Sequence, residues 1–270
     1  MDTSNEENLH LFNIKLARVT GLYQILDPGT IKFRGRNVYH IAIVIIMLYL
    51  SIISTMLIIS CLYYSPNNIF ASVEYGWRGI ISMFLTYRMW IVVYHSNDVW
   101  NCLTITWYDF TSHNLRDRHI LDLWRKRSVW ITNTLAIVYF MTLVFYAGIF
   151  LIFPNGIMPI KNHDGSVDHY RQNLLNLFLI VTDETYNTYY GAFYFIEVSF
   201  NVWLVNIIFM FDMLLVTLCL AVSCQIQMIN AAFESFGNKS PSDPNTQIIG
   251  SNERKVVLIN IQCLSVSFEE

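Results

Sequence analysis

Two stretches decide the fold: IAIVIIMLYLSIISTMLIISCL at residues 41–62 and SVWITNTLAIVYFMTLVFYAGIFLIF at residues 128–153. They run for 22 and 26 residues, and neither contains a charge. A helix needs roughly 20 apolar residues to cross a hydrocarbon layer about 30 Å thick. Both stretches meet that length, so the reading that follows is of an all-α, polytopic membrane bundle.

Outward from these two, further spans are legible once some charge is allowed. The first stretch widens to a span at 38–63, and a Tyr63-Tyr64-Ser65-Pro66-Asn67-Asn68 turn leads to a second at 69–94. The second span holds Glu74, Arg78 and Arg88. At 100° per residue these three lie within an arc of roughly 80°, so one polar stripe on it faces protein or water. Glu74 and Arg78 also stand in the favourable i,i+4 order for an ion pair, and Arg88 is placed to anchor the inner end. The third span is 128–153. The fourth begins near Tyr189, crosses by about 224, and stays compatible with a helix to about Phe236. Up to residue 224 only Glu197 and Asp212 interrupt it, about 22 Å apart along a helix, which suits one near each interface.

Before the spans, Ser4 and Glu7 form a capping box. Leu9, Phe12, Leu16, Val19, Tyr23 and Leu26 then recur at helical spacing. This predicts an N-terminal amphipathic helix, either lying on the membrane surface or packed on other elements at that end. Residues 95–127 read as a polar connection, and 154–186 as an outer loop whose apolar run 174–181 folds back over the bundle. The organisation is then a cytoplasmic N-terminal segment (1–36), a transmembrane bundle (37–236) and a cytoplasmic linker and tail (237–270). No signal peptide is expected ahead of the first span.

Orientation follows from charge. The N-terminal segment, the 95–127 connection and the tail together carry 13 basic residues, whereas the outer loop carries Lys161 and Arg171 alone. The positive-inside rule places both termini in the cytoplasm and the chain in the plasma membrane as a multi-pass protein. The Asn238-Lys239-Ser240 sequon falls on the predicted inner side and should stay unglycosylated.

Composition excludes several functions. The chain is 54% hydrophobic and 14% charged with a net charge of −3, so nucleic acid is not an expected partner. Its five cysteines form no CxxC pair, and its seven histidines form no HExxH or i,i+4 pair. No nucleophile elbow or phosphate-binding loop occurs either. No metal, cofactor or catalytic activity is expected.

What remains is an aromatic-rich outer half. Tyr75 and Trp77 on the second span, Tyr146 and Phe150 on the third, and Tyr190, Phe193 and Phe195 on the fourth lie at matching depth. Under a loop lid they could enclose a small, mostly apolar ligand, or they could be ordinary packing.

Two tracts carry a family likeness. Arg18-Val19-Thr20-Gly21-Leu22-Tyr23 resembles the Gly-Leu-aromatic end of the N-terminal helix of insect odorant receptors. Asp212-Met213-Leu214-Leu215-Val216-Thr217-Leu218-Cys219-Leu220, continuing to Cys224-Gln225-Ile226-Gln227-Met228-Ile229-Asn230, resembles that family's fourth-helix tail. Ala221-Val222-Ser223 departs from it where members often carry a His. The resemblance, over roughly 8–236, implies a subunit of an odorant-gated cation channel. Its partners would be a volatile odorant, membrane lipid and the family's co-receptor. Family members have seven spans, the last lining the pore, so four spans imply a piece without its pore helices. A gustatory-type receptor fragment, a non-conducting short isoform and a transporter fragment are the competing readings.

Overall fold

A computed structural model describes residues 11–33, 36–66, 68–104, 115–152, 156–161, 166–177 and 181–237. The Ser4–Glu7 capping box, the Asn238 sequon and the C-terminal tail lie outside the described residues.

The chain is mostly helical. Helices α1 (Ile14–Thr20) and α2 (Leu22–Leu26) precede a two-residue-per-strand hairpin of β1 (Lys32–Phe33) and β2 (Arg36–Asn37). Then come α3 (Val38–Tyr64), α4 (Ile69–Tyr94), α5 (Ser96–Thr104) and α6 (Leu115–Ile152). An antiparallel hairpin of β3 (Ile157–Lys161) and β4 (Val167–Arg171) follows, with Ile157 opposite Arg171 and Lys161 opposite Val167. Helices α7 (Asp183–Thr188) and α8 (Tyr190–Gly237) complete the described chain. The all-α class holds, with two small hairpins added to it.

Among the described residues three helices are long and apolar enough to cross a membrane: Val38–Tyr64, His119–Phe150 and Tyr190–Ala231. Helix α4 has the length, but it carries the three charges read from its sequence.

Helices α3 and α4 form the tightest pair, and small residues explain why. Asn37 and Asn68 start the two helices by accepting the Tyr39 and Ala71 N–H groups. Gly79 sits so close to α3 that a Cβ there would come within 2.8 Å of Ile58. Ser54 and Ser82, both buried, meet hydroxyl to hydroxyl at 2.7 Å. Close backbone approach plus a shared polar contact is how helices associate without a hydrophobic driving force between them.

Helix α6 begins at Leu115, thirteen residues before the expected span, so the basic cluster of residues 116–127 rides on the helix. The reason is visible in the spacing: Leu121, Ser128 and Thr132 are all fully buried, and offsets of 7 and 11 residues return to one face. Leu121 joins Leu11, Ala221 and Cys224 in a small second core with Trp124 and Met228 against it. Helix α8, 48 residues long, runs about 72 Å. Both long helices therefore exceed the roughly 30 Å thickness of a hydrocarbon layer.

The N-terminal stretch is not one helix. Gly21 takes a left-handed conformation (φ 88°) that breaks it into α1 and α2, a geometry glycine adopts without steric cost. Its apolar side is covered by the rest of the chain: Phe12, Ile14, Ala17, Leu22, Ile25 and Leu26 are buried. Asn13 donates to Thr132 (2.9 Å) and Asn133 (3.0 Å) on α6, and Tyr23 meets the Trp100 ring edge-on. These helices pack on other elements of the chain, with Val19 left outward.

Candidate functional site

At the opposite end, residues 172–177 leave β4 and drop onto the bundle. A loop burying its backbone must find partners for every N–H and C=O, and here the helices supply them. Tyr75 of α4 donates to the Asn176 carbonyl at 2.7 Å. Arg78 Nη1 donates to the Leu174 carbonyl at 2.8 Å, and Tyr146 of α6 reaches the same oxygen at 3.3 Å. Tyr190 of α8 donates to the Gln172 carbonyl at 3.1 Å.

The amide side is held by one carboxylate. Glu197 on α8 is fully buried. Its Oε2 accepts from the Leu175 and Asn176 N–H groups and its Oε1 from the Leu177 N–H (3.1 Å) and the Tyr186 hydroxyl (3.3 Å). Three successive N–H groups aimed at one anion form a concave nest. Asn176 turns the loop by taking φ 55°, the left-handed region that Asn tolerates best after Gly. Its side chain accepts the Asn173 N–H (2.7 Å), and Asn173 donates to the Tyr186 hydroxyl (2.8 Å).

Aromatic rings close around this knot. Tyr186 stacks on Phe193 (centroids 4.6 Å apart) and meets Tyr170 and Tyr190 edge-on. Tyr75 stacks on Tyr64 at 5.6 Å. Tyr146 meets Phe150, and the Arg171 guanidinium lies 4.0 Å over the Tyr190 ring. Burial, reinforced by the Glu197 charge, raises the Tyr186 hydroxyl above its ordinary range, and burial with Asp168 does the same to Tyr170. Both therefore remain neutral donors at physiological pH.

Of the residues singled out in the sequence, Tyr75, Tyr146, Phe150, Tyr190 and Phe193 come together here. Trp77 and Phe195 do not: they are 66% and 73% exposed on the outer surface. Each lies two residues beyond a clustered aromatic, and two residues turn a helix by about 200°. Depth along a span does not specify facing. Glu74 and Arg78 form their expected pair, with Arg78 also engaged by the loop. Sequence reasoning did not find Glu197, Tyr186, Asn173 or Asn176 as parts of this site. The available signal was an acid in the first third of a span whose only other charge is Asp212. Among the described residues, no three His, Cys, Asp or Glu side chains are grouped as metal ligands.

No protein-family model, curated protein or solved structure matches this chain.

Proposed function

We propose that this chain is a subunit of an odorant-gated, non-selective cation channel of the insect odorant receptor type, working beside a co-receptor in the plasma membrane. The observation that carries the reading is the cluster of aromatic side chains contributed by α4, α6, α7 and α8 around Tyr186, beneath the 172–177 loop. It supplies large apolar rings with a few fixed polar groups, the composition of a small-molecule site. The Arg18–Tyr23 and Asp212–Asn230 tracts add the family likeness. A small volatile molecule bound there would act by favouring one of two channel states through its differential affinity for them.

The reading includes α4 as a fourth span and a cytoplasmic N-terminus. Two observations support α4 as a crossing. Glu74 and Arg78 pair with each other, while the Arg88 guanidinium lies 4.6 Å over Phe84 and 4.8 Å over Phe211, so no charge on it need face lipid alone. Its outer face carries Phe70, Val73, Trp77, Ile80, Phe84, Tyr87, Ile91 and Tyr94, all exposed and all apolar or aromatic. The 13-to-two distribution of basic residues supports the orientation.

The test is co-expression with the family's co-receptor in a cell lacking both, with odorant-evoked cation current as readout and surface labelling as control. Current that requires this chain supports the reading. Surface-resident protein that confers no current over a broad odorant panel counts against it.

A further inference from the structure

The aromatic site is not lined by hydrogen-bonding side chains that wait for a ligand; its donors are already spent on the chain's own backbone. We propose that residues 173–177 are a built-in occupant of the site, and that it takes neutral small molecules bearing a hydrogen-bond-accepting oxygen, which enter by displacing the Leu174 carbonyl. This inference rests on the reading of the cluster as the ligand site.

The Leu174 carbonyl is where two helices converge. Arg78 Nη1 approaches from α4 at 2.8 Å and the Tyr146 hydroxyl from α6 at 3.3 Å. The Leu174 side chain is fully buried, and Leu175 is buried beside it within the same apolar core. A carbonyl oxygen flanked by a short branched alkyl chain therefore sits among the rings. That is the chemistry of a ketone, ester or amide of modest size. An alkane taking that place leaves the part-buried Tyr146 hydroxyl and Arg78 guanidinium without that acceptor, a loss of hydrogen bonds that a carbonyl compound avoids. A carboxylic acid meets the opposite difficulty: the Arg78 charge is already paired with Glu74, so an ionised ligand must shed its water without gaining a free counter-charge.

The occupant is irregular backbone, turned through a left-handed Asn176, and a ligand that displaces it must outcompete the hold of the Glu197 carboxylate on its amides. The Tyr186–Phe193 and Tyr75–Tyr64 stacks are made between rings outside the loop, although Tyr75 and Tyr186 also bond it through Asn176 and Asn173. Displacement trades one carbonyl for another at the Arg78–Tyr146 pair and keeps those donors satisfied.

The test is hydrogen–deuterium exchange of residues 172–177 in the intact chain, reconstituted in lipid nanodiscs. The probes are C6–C10 ketones and esters, alkanes of matched length and the corresponding carboxylic acids. Neutral carbonyl compounds should speed exchange there by about tenfold, with no change in the α3 amides that report general membrane perturbation. Alkanes and acids should not. Tyr146→Phe, which removes one donor atom, should weaken the carbonyl response while leaving the fold intact by α3 exchange. Equal responses to ketones and alkanes, or none to any carbonyl compound, would overturn the proposal. Odorant-evoked current with a silent loop would remove this inference and leave the receptor reading standing; a responsive loop without current would do the reverse.

Discussion

Replacing Glu197 by Gln changes one atom and should unlatch the 172–177 loop. Each carboxylate oxygen accepts two hydrogen bonds, one pair from the Leu175 and Asn176 amides and the other from the Leu177 amide and Tyr186. A carboxamide keeps one oxygen and turns the other into a donor, so it faces two N–H or O–H groups with hydrogens of its own. Losing two charge-assisted bonds at about 1.5 kcal/mol each costs roughly 3 kcal/mol of loop closure. At 1.36 kcal/mol per factor of ten, that is an opening equilibrium about 100-fold larger. Exchange of the Leu175, Asn176 and Leu177 amides reads this directly, because amides protected only by local closure report the local opening free energy. Glu197→Asp, which retains both oxygens on a shorter stem, should fall between Gln and the parent. If Glu197→Gln leaves these three amides within about threefold of the parent while α3 is unchanged, the carboxylate is not what holds the loop.

The remaining expectations concern the bundle. Gly79→Leu places a branched side chain against Ile58, where even a Cβ comes within 2.8 Å, and should destabilise the α3–α4 pair by about 1–3 kcal/mol; detergent-resistance melting checks this, and an unchanged midpoint would show the pair can separate freely. Asn13→Leu removes both hydrogen bonds to Thr132 and Asn133 and should loosen α1, seen as faster limited proteolysis ahead of residue 30 without loss of the bundle. Tyr139→Phe takes away the phenol that donates to Asp212 and should lower the thermal midpoint by about 3–6 °C, whereas Tyr139→Phe combined with Asp212→Leu should recover most of that loss.

Much of the fold was legible because its signals are local. Apolar length and the turn at residues 63–68 fix α3 and α4 to within a residue of the expected bounds, and α8 ends at Gly237 where helical compatibility was read to fail near Phe236. The start of α6 was not legible as a span, since residues 115–127 are as polar as a loop. Their helical state depends on Leu121 finding Leu11 and Ala221, far away in the chain. The candidate site was legible only in part for the same reason. Tyr75, Tyr146 and Phe193 are conspicuous as aromatics, but which aromatics face inward depends on rotation about each helix, and Trp77 and Phe195 point away. Glu197 binds backbone amides some twenty residues upstream. Backbone amides carry no residue identity, so no sequence pattern could announce that contact. Its one trace is the oddity of an acid in an apolar span.

The most direct test of the proposed aromatic site is a set of odorant dose–response curves in the co-expression assay for Tyr75→Ala, Tyr146→Ala and Phe193→Ala, against Trp77→Ala and Phe195→Ala. The three clustered positions should each shift the half-maximal concentration by about tenfold or more, since removing an aromatic contact with a ligand costs upward of about 1.4 kcal/mol, with surface expression preserved. The two outward positions should shift it far less. Curves that are unchanged at all three clustered residues would contradict the assignment of this site.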